Sequence, residues 1–239
     1  VKILRNILII FCLSLLSACI KEPPGLDQRQ LGTSAYDLLS SAKYKSLNIE
    51  INYMPGYEPD AVTVNKLIIF LEKLINKPGG ITVSKHIIPV SSLEVLALDN
   101  IIGLENIYRQ YHTQKDVITA HVLITNGYYK NNVLATSYWD TSICIFGKSI
   151  DERSGNTGQI SRSALMTILL EHEFGHLLGL VSQGTPMRNA HRDFLNGAHC
   201  KNSNCLMYYN VEEGFANSQN NIPLLDADCL ADLKANGGK

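Results

Sequence analysis

The stretch Leu169-Leu170-Glu171-His172-Glu173-Phe174-Gly175-His176-Leu177-Leu178-Gly179 constrains this chain more than any other. It lies in a run that reads as one helix from Ser161 to Leu178. At about 100° per residue, positions four apart share a face, so His172 and His176 can offer their imidazoles to one metal ion while Glu173 stands beside them. The run is apolar nearly all round, with Leu165, Ile168 and Leu169 near the histidines and Leu170, Phe174 and Leu177 opposite. A helix without a polar face belongs in a core. Ionisable groups buried there need a partner, and zinc supplies one. A chance match on a surface helix would instead carry charges along its outer side; here only Arg162, Glu171, Glu173 and the histidines interrupt the apolar run.

The helix has legible ends. Ser154 to Gly158 is a polar loop before it, and Ser161 or Ser163 can cap its first turn. Gly179 stands where a left-handed residue would reverse the chain after the second histidine. A third zinc ligand must then arrive from a segment that turns back under the metal.

Upstream, the alternation Leu47, Ile49, Ile51, Tyr53 predicts a first strand, and Asp60 caps a predicted helix through Ile75 with Val64, Leu67, Ile68, Leu71 and Leu74 at helical spacing. Ile81 to Ile88 reads as a second strand. Ser91 or Ser92 is expected to cap a helical segment leading to another around Leu104 to Tyr111. Val117 to Thr125 reads as a buried strand ending in an Asn126-Gly127 turn, and Val133 to Tyr138 and Ser142 to Phe146 as a further pair. The order predicts a single α/β (α+β) domain, a mixed sheet packed on a central active-site helix, with a loop-rich C-terminal part.

A chain of 239 residues, 45% of them hydrophobic, can bury one sizeable core. With 21 basic against 22 acidic side chains and no basic run, nothing points to nucleic acid. At the N-terminus, Lys2 and Arg5 precede an apolar run from Ile7 to Leu16, followed by Leu16-Ser17-Ala18-Cys19. This is a secretory pattern, too short for a comfortable membrane span. It resembles a bacterial lipobox, which implies cleavage before Cys19 and lipid on its thiol; an uncleaved anchor or an ordinary signal would export the chain equally. The expected organisation is a signal at 1–18, a lipidated tether with a short helix at 19–45, and the metal domain at 46–239, on a membrane face left undecided.

H-E-x-x-H-x-x-G followed by a later Met in a tight turn resembles the metzincin zinc endopeptidases. There two further residues and then the third ligand follow the glycine, a place held here by Ser182. Further on, His199-Cys200, then Cys205 and Met207, resemble the archaemetzincin continuation, with an insertion at about Val181 to Ala198. Exported bacterial lipoprotein metalloproteases look similar over Gly184-Thr185-Pro186-Met187. The resemblance covers roughly residues 165 to 209. It implies zinc held by His172, His176 and His199, Glu173 as general base, and Met207 as the floor beneath the metal. Three neutral imidazoles would leave a fourth position for water, whose proton the adjacent carboxylate can take. His191 and Asp193, both in the insertion, compete with His199 for the third place. Tyr208 and Tyr209 are candidate oxyanion stabilisers or packing residues.

By the same resemblance, residues like Cys200 and Cys205 bind a second, structural zinc with a later C-x-x-C. Here that element is Cys229-Leu230-Ala231-Asp232, one thiolate short, and in an exported protein a disulfide among Cys200, Cys205 and Cys229 is the preferred expectation over a second metal. Cys144 also remains. Leu134-Ala135-Thr136 is the candidate edge strand for pairing with an extended peptide, its alternative being an ordinary sheet strand. The expected activity is a membrane-anchored zinc metalloendopeptidase acting on peptides or proteins with one catalytic Zn²⁺. The alternatives are a non-catalytic zinc-containing surface lipoprotein that binds a peptide or glycan, and a zinc hydrolase acting on something other than peptide.

Overall fold

A computed structural model describes residues 25–131, 133–211 and 221–239. The signal and Cys19 lie outside the described residues. The elements are α1 (Ala35–Leu39), β1 (Ser46–Tyr53), α2 (Ala61–Leu74), β2 (Ile81–Ile87), β3 (Val95–Leu96), α3 (Leu98–Tyr108), β4 (Val117–Thr125), β5 (Tyr128–Tyr129), β6 (Ala135–Trp139), β7 (Ser142–Phe146), α4 (Gly147–Arg153), α5 (Arg162–Leu177), β8 (Arg192–Asp193), β9 (His199–Cys200), a 3₁₀ turn at Tyr209–Val211, and α6 (Ala227–Ala235).

A five-stranded sheet in the order β2-β1-β4-β7-β6 forms the frame. Its first four strands run parallel and β6 returns antiparallel to β7, the mixed sheet expected. Strand alternation separates two cores: Ile143 and Ile145 of β7 face the large core with α2 and α5, while Cys144 and Phe146 face a smaller one that includes Ile101 of α3. Every residue of α5 from Ala164 to Leu177 is buried, as its unbroken apolar run requires. Asp60 caps α2, its carboxylate accepting from Thr63 N (2.7 Å) and from the Ser163 hydroxyl. One side chain thus ties the first turn of α2 to that of α5.

Two expectations need correction. No helix starts at Ser91 or Ser92: Ser91 is held in a turn by the Asn126 amide, and one helix, α3, covers 98–108. In β1, Glu50 and Asn52, between the apolar positions, are fully buried. The segment after α3 covers them, with Glu50 accepting from Gln110 N and Tyr111 N (both 2.8 Å), so a carboxylate finds its donors in backbone. Nearby, the Arg109 guanidinium bridges Glu105 (2.7 Å) and Thr119 O (3.0 Å). Finally, the tether expected up to residue 45 is packed down from Asp27 onward. Asp140, at the β6–β7 turn, accepts from Arg29 N (3.0 Å) and from the Ser34 hydroxyl (2.6 Å).

Candidate metal centre

Ser161 caps α5 through Ala164 N (3.3 Å), and the helix carries His172, Glu173 and His176 into the interior. His172 and Glu173 are fully buried and His176 nearly so. Gly179 then takes φ +80°, where a Cβ would stand 2.6 Å from both Ala35 Cβ and Thr185 N. Val181 (φ 54°) and Ser182 (φ 66°) are also left-handed, a strained state for a β-branched residue. Thr185 holds this reversal by bonding Gly179 O through its N–H (2.9 Å) and Leu178 O through its hydroxyl (2.7 Å). Ser182 is exposed on it.

The chain returns through the hairpin of β8 and β9, which brings His199 to the helix. Ligand atoms of His172, His176 and His199 all lie within 4.8 Å of one another. Nε2 of His176 is 3.1 Å from Nε2 of His172. His172 Nδ1 donates to Leu206 O (2.7 Å) and His199 Nδ1 to Asn196 O (2.6 Å). A carbonyl only accepts, so these bonds set the tautomer, with the proton on Nδ1 and the lone pair on Nε2. Tetrahedral zinc with bonds of about 2.0–2.1 Å separates its nitrogens by about 3.4 Å, so the donor set fits that ion.

His191 and Asp193 lie elsewhere. His191 Nε2 bonds Asp232 (2.8 Å), and Asp193 uses both carboxylate oxygens on its own loop, towards Leu195 N (3.0 Å) and the Asn196 amide (2.6 Å). Met207 is fully buried beneath the helix, and a Cβ on Gly175 would stand 2.3 Å from its Sδ. The glycine between the two histidines therefore makes room for the methionine. Tyr208 and Tyr209 pack on one another with ring centroids 4.7 Å apart.

A cleft of 170 Å³ opens over the histidines, between Thr136 and Ser137 on one side and Asn196, Gly197 and Ala198 on the other, with Glu173 and His176 at its base. Strand β6 is the edge of the sheet here, with Thr136 on the cleft, while Leu134 and Ala135 are buried. Ser137 was not among the expected site residues. Its hydroxyl lies 2.7 Å from Glu173 Oε2 and 3.1 Å from Glu173 O. A register shift between Ser137 and Trp139 re-aims the strand at this point, a tertiary feature with no mark in the sequence.

Cys200, Cys205 and Cys229 are unbridged; the Cys200 and Cys229 thiols gather with His191 and Asp226, their ligand atoms all within 4.8 Å of one another, and Cys205 stands beside Cys229. Cys205 Sγ is 3.7 Å from Cys229 Sγ, and His191 Nδ1 is 3.4 Å from Cys200 Sγ and 3.8 Å from Cys229 Sγ. A disulfide requires about 2.05 Å. Zinc bonded at about 2.3 Å to sulfur and 2.0–2.1 Å to nitrogen gives tetrahedral edges of about 3.6–3.8 Å. The Cys229 thiol bonding to Cys205, with Asp226 N and Met207 N also pointing at that sulfur, pulls the Cys205 thiol down to about 7. Burial pushes Cys200 up to about 12. Asp232, where the expected second cysteine is missing, orients His191 instead. Cys144 is buried apart from this group.

Fold and histidine cluster together make an α/β domain with a candidate metal site on its central helix. No protein-family profile and no curated protein matches the chain in sequence. Among solved structures, archaemetzincin from Methanopyrus kandleri superposes with a TM-score of 0.53 at 14% identity, over 80% of this chain and 96% of that one. Metalloproteinase-II from Bacteroides fragilis gives 0.47 at 14% identity, over 89% of this chain and 57% of that longer protein. The chain has the archaemetzincin-like metallopeptidase fold.

Proposed function

We propose that this protein is a zinc metallopeptidase, with His172, His176 and His199 holding the ion and Glu173 as general base. The observation that carries the reading is the convergence of three imidazoles beside a buried glutamate at the base of a cleft bounded by a sheet edge. Zinc bound there supplies the Lewis acidity that acidifies a water and polarises a carbonyl. The backbone of β6 at Thr136 pairs with an extended peptide and sets its carbonyl over the histidines. Glu173 takes the proton of the attacking water and passes it to the leaving amine. Ser137 donates to Oε2, which fixes the carboxylate. Glutamine at 173 keeps the shape and removes the base. Zinc content and cleavage of a broad peptide library, measured for the wild type and Glu173→Gln, test this. Retained zinc with cleavage lost only in the variant is expected; metal without cleavage in either protein would overturn the reading.

The second cluster holds a structural zinc on this reading, with the Cys200 and Cys229 thiolates, His191 and the Asp226 carboxylate as ligands, a donor set that suits that ion. Two zinc ions per chain are expected, falling to one in Cys229→Ser. Lipid attachment at Cys19 is the matching proposal for the N-terminus; mass spectrometry of the mature chain would show a diacylglyceryl-Cys19 start, and an unmodified cysteine would overturn it.

A further inference from the structure

Phe194 and Leu195 stand next to one another at 81% and 93% exposure, on the loop joining β8 to β9. Adjacent large apolar side chains this exposed mark a surface made for contact. The loop is held in one shape. Asp193 accepts from Leu195 N and the Asn196 amide, Arg192 Nε donates to Gly197 O (2.7 Å), and the Arg192 guanidinium lies 5.9 Å from the Phe194 ring centroid. The apolar pair is therefore presented on a rigid support, with little ordering left to lose on contact.

The same hairpin is a wall of the candidate active site. Asn196, Gly197 and Ala198 line the cleft opposite β6, and Asn196 O accepts from His199 Nδ1. The cleft itself is small and carries Thr136, Ser137, Glu173 and His176, which suits the scissile peptide unit and not a bulky apolar side chain. Phe194 and Leu195 directly precede these wall residues in the same loop, which places the apolar pair beside the cleft.

We propose that Phe194 and Leu195 form an apolar lip that docks a bulky apolar side chain of the polypeptide substrate, flanking the bond to be cut. The inference rests on the metallopeptidase reading and adds a specificity element carried by the insertion. Burying one such side chain is worth a factor of about ten to a hundred in binding.

The test uses the zinc-loaded full chain and paired fluorogenic peptides that share a scissile bond and carry either Leu/Phe or Ser at the flanking positions. The wild type should prefer the apolar set by about tenfold or more in kcat/KM, mostly through KM. In Phe194→Ser/Leu195→Ser the preference should fall to about twofold or less at full zinc content, and in Phe194→Leu it should persist. Affinity of the two peptide sets for Glu173→Gln, by fluorescence polarisation, should show the same ratio without turnover. A wild type that cleaves no peptide sinks the peptidase reading, and the lip with it. Equal cleavage of both sets, or a preference that survives in the double variant, overturns the lip and leaves the peptidase reading standing. Loss in the double variant of binding to phosphatidylglycerol vesicles, or of a dimer, with the peptide preference unchanged, would assign the pair to a lipid surface or a second copy and equally overturn the proposal.

Discussion

Glu171 precedes the first histidine of α5 but points away from the cleft, into a groove of 540 Å³ lined by Ile69, Phe70, Leu74, Leu224 and Leu230. It is 6% exposed and makes no hydrogen bond to a described residue. Burial pushes its carboxyl from 4.5 up to about 7, with Lys66 and Lys73 pulling weakly the other way. A carboxyl whose folded pKa is raised binds more protons in the folded state than in the unfolded chain between those two values. Stability therefore falls as pH rises from 4.5 through 7. At about 1.4 kcal/mol per unit, the loss reaches about 3 kcal/mol by pH 8. Glutamine cannot ionise. Glu171→Gln should thus gain on the wild type by about 3 kcal/mol between pH 4.5 and pH 8, with most of the gain in place by pH 7. Urea unfolding of both proteins with metal chelated, followed by the fluorescence of Trp139, reads this difference at pH 5, 6, 7 and 8. A gap that does not change with pH, or a variant less stable than wild type at pH 8, would refute the reasoning.

Gly175→Ala should gain about 1 kcal/mol of helix propensity and lose about 1–3 kcal/mol by crowding Met207 Sδ, a net loss of up to about 2 kcal/mol. In a Met207→Ala background the same change should become stabilising, which a double-mutant cycle in thermal unfolding would show. Ser137→Ala removes a bond to a charged carboxylate worth about 1.5–3 kcal/mol, so kcat should fall by roughly tenfold or more with KM and zinc content unchanged, and Ser137→Thr should restore part of it. Asp60→Ala should cost about 1 kcal/mol through loss of the α2 cap, read by chemical denaturation.

Much of the centre was legible because it is local. His172, Glu173 and His176 lie within one and a half turns of a helix, whose pitch places them together before any tertiary contact forms. Gly179 announced a reversal by its residue type, and its φ of +80° agrees. The Ser137 contact was not legible, since it depends on a register irregularity between β6 and β7 that leaves no mark in residue type. The burial of Glu50 was not legible either, because alternation tells which residues share a face and not what covers that face.

By itself, then, the sequence determined the helix, its two histidines and its glutamate, a mixed sheet packed on that helix, and the expectation of a third ligand from a returning segment. Only the tertiary structure separates His191, Asp193 and His199, bringing His199 alone of the three to the helix histidines. These three fall within nine positions of one another on the same hairpin, where spacing cannot rank them. The choice came from long-range contacts: Asp232 of α6 draws His191 to the cysteines, Asp193 turns to its own loop, and Asn196 O aims His199 at the helix. Periodicity encodes what happens along one element, whereas a candidate centre assembled from a helix and a returning hairpin depends on which partner each side chain meets after the chain has closed.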